Sequence, residues 1–125
     1  MTKSTLNRYD IGDDILVVYV SDTSEETLRD WYDSSMIEMD AYTEPVKRLY
    51  DMRDLPTLTI QTVRMAIKVR RHPKADYVFT AVLVSNTTVA ALVKASLSIQ
   101  AGGKIQLFTD YDTAVKWLNE KLPST

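Results

Sequence analysis

The chain has 125 residues, 45% of them hydrophobic and 26% charged, and three glycines with four prolines leave little material for linkers. One domain over 1–125 is expected, with its core at about 7–122 and short flexible ends. Fifteen Lys and Arg against 17 Asp and Glu give a net charge of −2 and hence no general attraction for nucleic acid, while the absence of cysteine excludes disulfides, thiolate nucleophiles and Cys-based metal sites.

Residues 6–11 read as a short edge strand, and Ile11-Gly12-Asp13-Asp14 supplies a turn in which Gly12 is free to take positive φ. Residues 15–20 are continuously apolar, mostly β-branched, and read as a strand covered on both sides. Thr23-Ser24-Glu25-Glu26 then reads as a capping box, Thr23 bonding forward and Glu26 reaching back. Leu28, Trp31, Tyr32, Ser35, Met36 and Met39 repeat at helical spacing, and the helix stops between Asp40 and Pro45. Residues 46–52 are a third strand. Leu58, Ile60, Val63, Met65 and Ile67 give the apolar side of a second helix ended by Pro73, and Arg64, Lys68 and Arg71 give it a basic side.

The rest of the chain hangs on residues 77–86. Val78, Val82 and Val84 point to one face of a strand and Phe79, Ala81 and Leu83 to the other, so both faces read as buried. Ser85-Asn86-Thr87 suits the cap of a third helix carrying Val89, Leu92, Val93, Leu97 and Ile99 or Gln100, stopped by Gly102-Gly103. Residues 104–109 are a fifth strand. Asp110-Tyr111-Asp112 opens a last helix whose apolar face is Ala114, Val115, Trp117, Leu118 and Leu122, ended by Pro123. The order β-β-α-β-α-β-α-β-α predicts an α/β fold in which an antiparallel hairpin leads into a mainly parallel sheet of about five strands with about four helices.

No catalytic motif is present. A single histidine, His72, cannot make a triad or a multi-histidine metal site, and it reads as an exposed or capping residue. The sequence contains no Gly-rich phosphate loop and no Gly-x-Ser-x-Gly elbow, so neither a cofactor nor a metal is expected and the chain reads as non-enzymatic. Residues 1–5 carry no apolar stretch and no apolar run reaches membrane-spanning length, so neither a signal peptide nor an integral membrane protein is expected, and the cytoplasm is the expected location.

Ligands of open α/β sheets approach the carboxyl ends of the strands. That rule selects Asp51, Arg53, Asp54 and Thr57 in one loop, Ser85, Asn86 and Thr87 in a second, and Thr109, Asp110 and Asp112 in a third. The same residue types also serve as helix caps. Enzymatic use of this cluster would need Asp51, Asp54 or Asp110 to be buried and shifted in pKa beside a cleft.

Thr80-Ala81-Val82-Leu83-Val84-Ser85-Asn86, Leu49-Tyr50-Asp51-Met52-Arg53 and above all the stretch from Leu107-Phe108-Thr109-Asp110 to Ala114 and Trp117-Leu118 resemble the SpoIIAA-like, or STAS/SEC14-like, bacterial proteins. The resemblance runs from about Asn7 to Leu122. It implies a parallel sheet wound with helices, in small cytosolic proteins. Better-known relatives are anti-sigma-factor antagonists that bind a partner kinase and are switched at a serine of an Asp-Ser pair. Here that region reads Asp54-Leu55-Pro56-Thr57-Leu58-Thr59-Ile60, without the pair, leaving Thr57 and Thr59 as the only hydroxyls. SEC14-like relatives bind lipids in an apolar cavity.

The sequence therefore supports non-catalytic protein binding, with a second copy of the chain as one partner to consider. The alternative is carriage or sensing of a small apolar or lipid ligand between the sheet and Trp31, Met36 and Met39, up to the size of a fatty acid. Were the helices to gather on one face of the sheet, a dimer or an apolar ligand would have to cover the other. The basic row Arg64, Lys68 and Arg71 reads as a solvated helix face or as a dock for an acidic partner.

Overall fold

The computed structural model describes residues 6–12, 14–97 and 104–123, with 95–97 as backbone only. β1 (Asn7–Ile11) and β2 (Ile15–Tyr19) form the antiparallel hairpin, with Ile11 opposite Ile15 and Gly12 at φ 57° in the turn. There follow α1 (Glu25–Ala41), β3 (Val46–Asp51), α2 (Ile60–Arg70), a 3-10 turn at Ala75–Tyr77, β4 (Val78–Leu83), α3 (Thr87–Leu97), β5 (Ile105–Phe108) and α4 (Tyr111–Lys121). The sheet runs in chain order, and β2 to β5 are parallel. The architecture is the α/β fold expected from the alternation of elements.

Strand register divides the core. Ile15, Val17, Leu49, Ala81, Leu83 and Phe108 share one face and pack against Ala114 and Leu118 of α4. Phe108 also meets Trp117, ring centroids 5.6 Å apart. On the opposite face Val78 packs with Met39 of α1 and Val69 of α2, and Val82 with Val89 and Val93 of α3. Among the described residues the helices therefore occupy both faces, three on one and α4 alone on the other, and no second copy or ligand is required to cover the α4 side.

Local signals moved two helix starts. The N-cap of α1 is Ser24, not Thr23, because the Asp22 carboxylate accepts from the Ser24 N–H at 2.9 Å and turns the chain one residue later; Ser24 Oγ then accepts from the Thr27 N–H at 3.3 Å. Likewise Thr59 caps α2 by accepting from the Thr62 N–H at 3.1 Å, which leaves Leu58 in the loop and sets the phase of the helix. Its inward row is Val63, Ala66, Val69 and Arg70, whereas Ile60 is 72% exposed. On α3, Val89 and Val93 face the core, while Leu92 is 37% exposed. The expected stop at Gly102-Gly103, with Ile99 and Gln100, lies outside the described residues.

Candidate functional site

The carboxyl ends of the parallel strands are stepped. Val20 N–H donates to Asp51 O at 3.0 Å, Met52 N–H to Leu83 O at 2.9 Å, and Val84 N–H to Phe108 O at 2.9 Å, each extending a ladder one residue beyond its strand. This staircase draws the expected loops together. The Asp51 carboxylate is buried and gripped by Arg53, which donates Nε at 3.0 Å, Nη2 at 2.9 Å and its backbone N–H at 3.2 Å. Ser85 Oγ donates to Arg53 O at 2.6 Å, and Asn86 Nδ2 to Pro56 O at 3.2 Å, tying the second loop to the first. The Tyr19 hydroxyl donates to Asp54, and Arg53 lies 5.9 Å from the Tyr111 ring centroid.

Most of these groups are occupied by structure. Asn86 Oδ1 accepts from the N–H groups of Thr88 and Val89 at 2.8 and 3.2 Å and so caps α3. Asp110 caps α4 by accepting from the Thr113 N–H and hydroxyl at 2.8 and 2.7 Å, contacts that lower its pKa. Thr57 and Thr87 are exposed. Burial alone would raise the pKa of Asp51, but the hydrogen bonds and charge of Arg53 outweigh it and hold the carboxyl below its ordinary value. A carboxylate held as an ion by a guanidinium is the opposite of a general acid kept protonated near neutrality. Beside these loops an open cleft of about 600 Å³ lies between Thr87, Ala90 and Lys94 of α3 and Asp110 and Thr113 at the start of α4.

Arg64, Lys68 and Arg71 are exposed, as expected of a basic helix face. Arg70 instead turns inward, its side chain 12% exposed. His72 is not exposed. Its Nε2 meets Asp40 at 2.7 Å and its Nδ1 accepts from the Lys74 N–H at 2.9 Å, so it ties the ends of α1 and α2 together. Among the described residues, no group of three or more His, Asp or Glu could hold a metal ion, and no helix is long and apolar enough to cross a membrane.

A second site lies between α1, α2, α3 and the sheet: a cavity of about 140 Å³ with an almost wholly apolar wall. Trp31 and Met39 line it, as do Leu28, Val63, Val69 and Val78, while Met36 packs in the core group around Met39. The sequence reading missed the polar residues that reach it. Arg48, in the middle of β3, is buried and on the wall. It donates Nη1 to the Tyr50 hydroxyl at 3.4 Å and Nη2 to the Tyr42 hydroxyl. Trp31 Nε1 also donates to Tyr50, at 3.0 Å, with the two rings edge to face. Burial alone would lower the Arg48 pKa, yet Tyr50, Tyr42 and Glu38 outweigh it and the net shift is upward. Burial raises Tyr42 and lowers Arg70. The available signal was Lys47-Arg48, two cations side by side in a strand covered on both faces.

No protein-family model matches the chain, and no curated protein matches it in sequence. Solved structures do. An uncharacterised DUF3478-family protein from Shewanella loihica, described as having a SpoIIAA-like fold, superposes with a TM-score of 0.67 at 16% identity over 91% of this chain and 92% of its own. The fold is SpoIIAA-like. An anti-sigma factor antagonist from Mycobacterium paratuberculosis shares it with a TM-score of 0.69 at 13% identity, over 92% of this chain and 93% of its own. A variant of Moorella thermoacetica RsbS does so with a TM-score of 0.71 at 11% identity, over 97% of this chain and all of its own (100%). This SpoIIAA-like sheet is wound with helices as the sequence resemblance implied, with the antiparallel hairpin at the edge.

Proposed function

We propose that this protein is a non-catalytic, cytoplasmic SpoIIAA-like regulatory module that acts by binding a protein partner through the loops at the strand carboxyl ends. The observation that carries the reading is the latch Asp51–Arg53–Ser85. It holds two loops in a fixed relation and leaves Ile60, 72% exposed, at the start of the next helix. Rigid loops around an exposed aliphatic side chain suit recognition, and the neighbouring carboxylates are already occupied by Arg53, Tyr19 and the α4 N-terminus. The solved anti-sigma factor antagonist of the same fold supports a protein as the partner.

The test is stoichiometric complex formation in extracts of the native cell, followed by size exclusion. Wild type should co-elute with a defined partner, and Ile60→Asp and Arg53→Glu should lose it with unchanged circular dichroism. Retention of the same partner by both variants overturns the reading. Analytical ultracentrifugation of the pure chain tells whether a second copy is that partner.

The cavity favours a second reading, a carrier or sensor of a small apolar ligand. Its volume limits the size. An engineered apolar cavity of roughly 150 Å³ holds benzene, so an occupant of on the order of six to ten heavy atoms fits and a long acyl chain does not.

A further inference from the structure

The two ends of α2 are held very differently. Of the eleven residues of this helix Val69 alone is buried, in the last turn, where it packs with Met39 and Val78. The same end is tied down by polar bonds. Arg70 Nη1 donates to Ala75 O at 2.9 Å, His72 Nε2 meets Asp40 at 2.7 Å, and Lys74 Nζ donates to Asp40 O at 2.9 Å. At the other end the side chains of Thr57, Thr59 and Thr62 bond within their own segment. The fixed points before them are Leu55, 2% exposed, and Pro56, whose carbonyl accepts from Asn86.

The cavity wall follows the same gradient. Near the end of α2 its lining residues Met39, Val69, Ala75 and Val78 are buried, whereas Leu58 and Val63 near the start are only half-buried. Helix α2 approaches α1 and α3, and its inward Val63 and Ala66 border the open volume beneath it. Side chains beside an empty volume lack dispersion partners on that side, and segments with few buried apolar contacts open locally with small free energies. The first half of α2 is therefore the weakest part of the wall.

Building on the reading of this cavity as an apolar-ligand site, we propose that α2 is its lid, hinged about residues 70–74, lifting over residues 58–66 to admit a small neutral apolar molecule and held down once that molecule is bound. The wall is almost wholly apolar, so the occupant is uncharged. It gives Val63 and Ala66 the contacts they lack, and a ligand that binds the closed state shifts the population toward it. Ile60, 72% exposed, rides on the lid, so occupancy also fixes the aliphatic side chain of the proposed partner surface.

Hydrogen exchange of the full chain, read by NMR with and without toluene, tests this, with calorimetry measuring toluene binding. In the free chain the amides of residues 63–67 should exchange about tenfold or more faster than those of residues 114–118 in α4. Toluene at about ten times its Kd should slow them about tenfold. It should also shift the methyl resonance of Ile60, on the outer side of α2, and leave that of Ile37, 70% exposed on α1, in place. Ala66→Leu, which fills the cavity from the lid itself, should slow the same amides without toluene and abolish toluene binding. If toluene binds but residues 63–67 exchange no faster than α4, or at a rate toluene leaves unchanged, the lid is overturned and the apolar-ligand reading stands. Failure of toluene to bind the wild type overturns both.

Discussion

The two faces of the sheet bury neighbouring cations of one strand in opposite ways. On the α4 face Lys47 is 2% exposed in its side chain, pairs with Asp14 at 2.5 Å and donates to Asn119 at 2.9 Å. Asp51, two register steps along the same face, is gripped by Arg53. On the other face Arg48, equally buried, keeps an Nε without a hydrogen-bond partner among the described residues, and its strand borders a cavity. Burial therefore identifies no site by itself; the difference lies in whether the buried charge is satisfied and whether space adjoins it.

Core truncations should separate the faces most strongly. Leu49→Ala, in the closed α4 face, should cost toward the upper end of the usual range of about 2–5 kcal/mol in denaturant unfolding, and Leu28→Ala, on the cavity wall, toward the lower end, because Leu28 already lacks neighbours on one side. Equal losses would erase the distinction. Enlargement should then invert the order. Ala114→Leu should overpack the α4 face at a cost of about 1–3 kcal/mol, and Ala66→Leu should be neutral or stabilising as it fills the cavity.

Charge changes follow in size. Glu38→Gln should lower stability by about 1–3 kcal/mol, because it withdraws the carboxylate shared by Arg8 and Arg48, whereas Arg48→Met should be neutral or raise the melting temperature. The ion pair of the closed face is read by acid. Asp51 has a depressed folded-state pKa, so its contribution is complete above the unfolded value of about 3.9 and is lost as pH falls through the folded one. Asp51→Asn should flatten the loss of stability below about pH 4 relative to wild type. The smallest effect is expected on neither face of the sheet. Charge reversal at Arg64, Lys68 and Arg71 should shift unfolding by only about 0.2–0.5 kcal/mol per affected pair.

Much of the fold was legible because it rests on local rules. Alternation in residues 77–86 gave a strand with two buried faces, and the register assigns Val78 and Val82 to one side and Ala81 and Leu83 to the other. The phase of α2 was not legible from hydrophobicity, since Ile60 and Val63 score alike and only the Thr59 cap decides which points inward. The loops at the strand ends could be grouped from topology, but the latch that fixes them depends on side-chain geometry across 32 residues, from Arg53 to Ser85. The buried arginine was missed for a related reason. A cation in an apolar strand signals something unusual, and Tyr50 is its neighbour two residues along the same strand face, yet Tyr42 and Glu38 converge on it only through the packing of α1 across β3.

The asymmetry of the two faces can be observed without any ligand chemistry by solving a crystal structure under xenon pressure, since xenon enters dry apolar cavities of this size. Xenon should occupy a site between Leu28, Val69 and Val78 on the α1–α3 side and leave the α4 side empty. Xenon among Leu49, Ala81 and Leu118, or none beside Val78, would contradict the account.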